Sequence, residues 1–251
     1  MVSPAHTLRA LHHGRAPGDP LVLPGPWDAA SARVFEEAGY EALATPSAGI
    51  ALSLGHEDGQ VPPKEMFEAV GRITRAVGVP VTMDAETGYG LTAKELVDRL
   101  LEAGAVGCNL EDSCPGEGSH PGEGSPGVLR DPHEQADRLA EVRDAAGDRL
   151  VINARVDTFV RGVADPERAV ERARLYVAAG ADCVYPILAP PEAIPVLRAG
   201  IEGPLNVLAM PDGPSPRELG ELGATRVTFG PGLLRRTMAA LRDIADEVRR
   251  A

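Results

Sequence analysis

One phrase recurs along the chain and restricts its fold more than any other feature. It reads "EEAGYEALATP", "EAGAVGCNLED", "AAGADCVYPI" and "ELGATRVTFG". In each copy a helical pattern stops at a glycine, Gly39, Gly104, Gly180 or Gly223, and an apolar run rich in strand formers follows within a few residues. A glycine there suits the left-handed residue that ends a helix, so each phrase predicts a helix-to-strand joint. Four further apolar runs, "LVLPG", "VPVTMDA", "RLVINARVD" and "PLNVLAMP", bring the predicted strands to eight.

Helical patterns fill the gaps at 28–38, 64–77, 92–103, 132–146, 166–179, 192–199, 216–222 and 233–250, with a short helix at 4–13 before the first strand. Continuous apolar strands alternating with amphipathic helices predict parallel strands covered by helices. Spread over 251 residues, eight units average roughly 31 residues, the size of one strand–helix module. The economical reading is a single-domain (β/α)8 TIM barrel spanning residues 1–251. A doubly wound open sheet would want a GxGxxG loop after the first strand, and "LVLPGPWDAAS" has none.

In such a barrel the chemistry sits where strands end and the following loops begin. The run "VTMDAETGYG" ends on Asp84 and Glu86, two apart and so expected on one side of an extended strand. "CNLED" adds Glu111 and Asp112, "INARVD" adds Arg155 and Asp157, and "LGHEDG" adds Asp58. Carboxylates sharing one mouth repel unless a cation joins them, and oxygen-only donors suit Mg2+, which keeps water and leaves room for substrate oxygens. The expected ligands are Asp84, Glu86 and Glu111, with Arg155 holding a substrate carboxylate in a bidentate pair. Asp112 and Asp157 are open to a second reading as structural acids.

With a small anionic carboxylate as substrate, a chain this acidic must concentrate positive charge locally, with arginine or a metal ion. Lys and Arg number 25 against 37 Asp and Glu, a formal charge of −12. Such a surface argues against nucleic acid, whose phosphates need clustered cations. No run approaches the about 20 apolar residues of a membrane span. Three cysteines without CxxC spacing indicate neither a disulfide framework nor a zinc ribbon and fit reduced thiols in a cytoplasm.

Taken together, "LPGPWDAASARVFEEAGYEAL", "TPSAGIALSLGHEDG", "DAETGYG", "NLED", "INARVD" and "LNVLAMP" resemble, in order, the motifs of the isocitrate lyase and phosphoenolpyruvate mutase superfamily. The resemblance implies a barrel whose last helix is often exchanged between subunits, in homodimers or homotetramers. It implies Mg2+ or Mn2+ on Asp84, Glu86 and Glu111, partly through water, with Asp58 near that shell. It implies Thr45, Pro46 and Ser47 as the turn that holds a substrate carboxylate, Arg155 against the reacting substrate and Asn206 at its other end. The activity implied is a lyase that breaks a carbon–carbon bond of a small 2-oxo or 2-hydroxy carboxylate through an enolate. A carbon–phosphorus mutase or hydrolase, or a non-catalytic ligand-binding barrel, are the alternatives.

The chain departs from the family pattern in several places. Glu86 stands where Asp is usual, and Pro46 removes a backbone N–H from the binding turn. The segment 112–130, expected to gate the site, lacks the lysine-rich Cys-Gly-His motif of the lyases. Cys114 lies only three residues after Glu111, and the slot of the family cysteine holds Ser119, followed by His120. Ser119 and His120 are therefore the candidates for delivering a proton. A zinc site from Cys108, Cys114 and His120 is the competing reading of this stretch, disfavoured because strand alternation turns Cys108 away from the mouth.

Overall fold

The computed structural model describes residues 3–114 and 128–250. Strands β2 (Leu43–Thr45), β3 (Val81–Asp84), β4 (Gly107–Leu110), β7 (Val151–Val156) and β8 (Cys183–Pro186) form one parallel sheet in that order. Strands β1 (Leu21–Val22), β10 (Arg226–Thr228) and β9 (Asn206–Leu208) form a second. The sheets meet at both edges. Ala44 N–H donates to Pro24 O at 3.1 Å on one side, and Val184 N–H to Pro204 O at 3.1 Å on the other, where Val184 also bridges Leu205 in parallel. The result is a curled parallel α/β sheet.

Helices α2 (Ala29–Glu37), α4 (Pro63–Thr74), α5 (Ala93–Glu102), α6 (Pro132–Ala146), α7 (Pro166–Ala178), α8 (Ile194–Gly200) and α9 (Pro216–Glu221) follow successive strands. Helix α4 shows why they lie against the sheet. Met66, Phe67, Val70 and Ile73 recur at three- and four-residue spacing and are buried, whereas Lys64, Glu68 and Arg72 face water. Starts are set by side chains. Asp28, Thr92, Asp131, Asp165 and Ser215 each accept a hydrogen bond from a first-turn N–H. Gly39, Gly104, Gly180 and Gly223 have φ of 90°, 77°, 99° and 118°, the left-handed helix ends expected from sequence.

Helix α1 (Pro4–Leu11) closes the end of the sheet opposite the site, its fully buried Leu8 packing with Leu21, Leu23, Ala42, Ala44 and Val151. Arg9 and Arg143 both pair with Asp182, which also accepts from Ile152 N–H, so α1 is tied to two strand starts. Above α1, His12 gives its Nδ1 proton to Leu8 O at 2.7 Å, leaving Nε2 to accept from the fully buried Arg226 at 3.3 Å. Burial and then Arg226 push the His12 pKa down to about 3, so it stays neutral.

One helix differs from the sequence expectation. "SAGIALSL" forms a helix, α3 (Ser47–Leu54), directly after β2. It has no polar face, and so lacks the periodicity that identifies the other helices. The expected gating segment 112–130 is paired at its two ends, where β5 (Ser113–Cys114) and β6 (Val128–Leu129) run antiparallel. Helix α10 (Gly232–Arg250) ends the fold with Leu234 as its buried residue.

Candidate active site at the strand ends

Asp84 stands at the end of β3. Its Oδ2 accepts from Ser47 Oγ at 3.0 Å, and its buried Oδ1 has no hydrogen-bond partner among the described residues. Ser47 opens α3, so the turn Thr45–Pro46–Ser47 lies against Asp84. Thr45 is buried, and its Oγ1 is also without a partner.

Glu86 reaches this space by a different route from the one alternation suggests. Strand β3 stops at Asp84, and Glu86 has φ of +50°, a left-handed conformation that L side chains rarely adopt. The backbone is held there by Glu111 N–H, which donates to Glu86 O at 2.9 Å and stitches the ends of β3 and β4 together. Such strain at a mouth is commonly retained for function. Tyr89, at φ +56°, donates its hydroxyl to Glu86 Oε1 at 3.4 Å and packs edge-on against Phe67.

Electrostatics join the acids. Burial, then Asp84, then Asp58, push the Glu86 carboxyl up to about 7. Burial and then Asp84 raise Asp58 as well. Burial raises Glu111 well above the usual range; Arg155 opposes this, and Asp84, Asp157 and Glu86 add to it. Asp58, Asp84, Glu86 and Glu111 thus form one cluster of mutually repelling carboxylates.

Arg155 is the counter-charge. Its Nε donates to Asp157 Oδ1 at 2.6 Å and its Nη2 to Asp157 Oδ2 at 3.1 Å, while Nη1 pairs with Glu111. The bidentate partner of Arg155 is therefore Asp157, where the sequence led us to expect a substrate carboxylate. Asp157 itself is fully buried and also accepts from Ser113 Oγ at 2.5 Å. The neighbouring Asp112 is buried too, accepting from Asp157 N–H at 2.8 Å, Tyr176 Oη at 2.7 Å and Arg172 Nη1 at 3.0 Å. Asp112 and Asp157 are structural acids in this arrangement.

Asn206 lies on β9, in register with Arg226. It accepts from Thr228 Oγ1 at 3.2 Å, and its buried Nδ2 has no partner. No hydrogen bond joins it to the carboxylates. Ser119 and His120 lie outside the described residues. Cys108 is fully buried in β4, and burial pushes its thiol up to about 12, so it behaves as a packed side chain. Arg235, in the first turn of α10, is a cation that the motif reading passed over; its charge acts on Asp58. The run "FGPGLLRR" just after the last strand was the signal available for it.

The donor set fits a hard cation. Among the described residues no three His, Cys, Asp or Glu side chains converge in ready ligating geometry. That alone does not disfavour Mg2+, which takes one or two carboxylates and keeps waters on its other positions. The orphaned Asp84 Oδ1 and the raised Glu86 and Asp58 are a set of oxygen donors that a hard cation would satisfy.

The profile of the phosphoenolpyruvate phosphomutase family matches residues 8–249. The chain belongs to this family, within the isocitrate lyase and phosphoenolpyruvate mutase superfamily. It is 31% identical to a probable 2-methylisocitrate lyase 2 of Corynebacterium glutamicum, over 98% of this chain and 83% of that one. It is 32% identical to a phosphoenolpyruvate phosphomutase of Streptomyces hygroscopicus, over 96% and 79%. The solved structure of a putative phosphonomutase from Burkholderia cenocepacia J2315 aligns with a TM-score of 0.85 and 38% identity, covering 98% of this chain and 100% of that one. Such relatives support an enzyme of the lyase and mutase kind. No helix among the described residues is long and apolar enough to cross a membrane.

Proposed function

We propose that the protein is a Mg2+- or Mn2+-dependent lyase that cleaves a carbon–carbon bond in a small 2-oxo or 2-hydroxy carboxylate through an enolate. The observation that carries this reading is the buried Asp84 oxygen without a partner, set among acids that repel one another. Asp84, Glu86 and Glu111 would hold the cation, which supplies Lewis-acid stabilisation of negative charge developing on the substrate.

The chain's own groups do the rest. Ser47 and the start of α3 lie beside Asp84, where a helix N-terminus favours a substrate carboxylate. Asp157 fixes the plane of Arg155 from behind. Arg155 Nη1 pairs with Glu111, and with Glu111 in a cation shell it would be free to contact the reacting substrate. Asp58 and Asn206 bound the substrate space, and Ser119 or His120 delivers the proton. The orphaned Nδ2 of Asn206 suits a hydrogen-bond acceptor on the substrate.

A second reading is carbon–phosphorus chemistry, favoured by the 38% identity to the putative phosphonomutase. The substrate from which pyruvate is released separates the two, since hydrolysis of phosphonopyruvate yields pyruvate as well. Oxaloacetate or a methylisocitrate-type substrate should yield it, with activity abolished by EDTA; turnover confined to phosphonopyruvate would favour the second reading. Absence of turnover with every one of these would leave the ligand-binding alternative.

We read the two curled sheets as one eight-stranded (β/α)8 barrel, folded as a single domain and working in a cytoplasm. Helix α10 bears Met238, Leu241, Ile244 and Val248 exposed along its length. A stripe of that kind supports a homodimer or homotetramer built by laying α10 on a second copy.

A further inference from the structure

Beside the carboxylate cluster is a cavity of about 890 Å3, walled by Gly59, Pro62, Glu86, Tyr89, Arg130 and Arg138 among others. Its size is ordinary for a small-molecule pocket. Of the acid cluster, Glu86 lines this wall, so the cavity adjoins the cluster at that residue.

Arg130 is the unusual member of this wall. Its backbone is pinned on both sides: its N–H donates to Asp112 O at 2.8 Å, and its carbonyl accepts from Arg172 Nη2 at 2.9 Å. Its side chain is not. The Nε is buried without a partner, and among the described residues no carboxylate pairs with the guanidinium. Arg138, on the same wall, is partly engaged, donating to Leu91 O at 2.6 Å and lying 3.5 Å from Glu141. A half-buried arginine whose guanidinium pairs with no carboxylate among the described residues is a candidate site for an external anion. Guanidinium geometry favours a planar, two-oxygen acceptor such as a carboxylate.

We infer that Arg130, with Arg138 sharing its wall, forms a second anion subsite that takes the distal carboxylate of a dicarboxylate substrate. This rests on the proposed function, which places the 2-oxo acid end of the same molecule at Asp84 and Glu86. The substrate class narrows accordingly to 2-oxo or 2-hydroxy diacids.

Two probes differ only in that distal group: 2-oxoglutarate carries it, and 2-oxopentanoate has the same chain length without it. Calorimetric titration of both into the full-length protein with Mg2+ should show 2-oxoglutarate binding at least about ten-fold more tightly, the scale of one charge-assisted hydrogen-bonded pair. Arg130→Gln should bring the ratio to within about two-fold, and Arg130→Lys should keep part of it. A wild-type ratio near one, or a ratio that Arg130→Gln does not move, overturns the subsite. If Arg130→Gln does not fold, the wild-type ratio and Arg130→Lys decide. Oxalate, which has no distal arm, separates this from the underlying reading. Mg2+-dependent oxalate binding with an unmoved ratio overturns the subsite alone, and no oxalate binding overturns the metal site together with it.

Discussion

Glu111 and Asp112 are adjacent in sequence and opposite in circumstance. Asp112 is fully buried and accepts three hydrogen bonds, two of them from Arg172 and Tyr176 on α7. Glu111 faces the mouth, shares Arg155 with Asp157 and stands against Asp84 and Glu86. One acid has every partner it needs inside the protein. The other belongs to a group whose charges do not balance. A satisfied acid holds a fold together, and an unsatisfied cluster is poised to bind something, so substitutions in the two places should fail differently.

The largest expected effect is on the unsatisfied side. Asp84→Ala should lower turnover by about a thousand-fold or more, the loss expected when a Lewis-acid site worth several kcal/mol disappears. Its melting temperature should stay level or rise, because one repelling charge is gone. A variant that melts at a lower temperature yet keeps its turnover while folded would reverse the assignment.

Next comes the satisfied side. Asp112→Ala leaves Arg172 and the Tyr176 hydroxyl without their acceptor and should destabilise the fold by about 3 kcal/mol. For a chain of this size that is roughly 6–12 °C in melting temperature. Retained stability would show that Asp112 is not the anchor its contacts describe.

A smaller effect distinguishes the clusters by pH. Burial, Asp84 and Asp58 raise Glu86 from 4.5 to about 7 in the folded, metal-free protein. A raised carboxyl favours folding fully below the unfolded value, and that contribution is lost as pH rises through the folded one. In EDTA, therefore, stability should fall between pH 4.5 and 7, by on the order of 2 kcal/mol once solvent screening is allowed for. Added Mg2+ should flatten the slope, and thermal melts across that range with and without the ion are the check. Smallest is Tyr176→Phe, which removes one donor from Asp112 and should cost about 1 kcal/mol in a denaturant melt without changing KM.

The helix and strand order was legible because each joint is written locally. Asp131 and Pro132 set the start of α6, and Gly39, Gly104, Gly180 and Gly223 mark helix ends by their positive φ. Helix α3 was not legible, since its run is apolar nearly all round, with even Leu52 exposed, and so has no periodicity to read. The acids at the mouth could be located but not sorted. Asp112 is settled by Arg172 and Tyr176 about sixty residues away, and Arg155 by Asp157 just beyond it. Glu86 reaches the cluster through a left-handed backbone that alternation does not anticipate. Arg226, inside an apolar-looking run, gives no local sign that it is buried against His12.

The most direct test of the central claim is calorimetric titration of Mg2+ into the metal-stripped chain in the presence of oxalate, beside Asp84→Ala. One ion bound per wild-type chain, and none by Asp84→Ala, is the expected result. Equal binding by the two proteins, or no binding by the wild type, would contradict a cation site centred on Asp84.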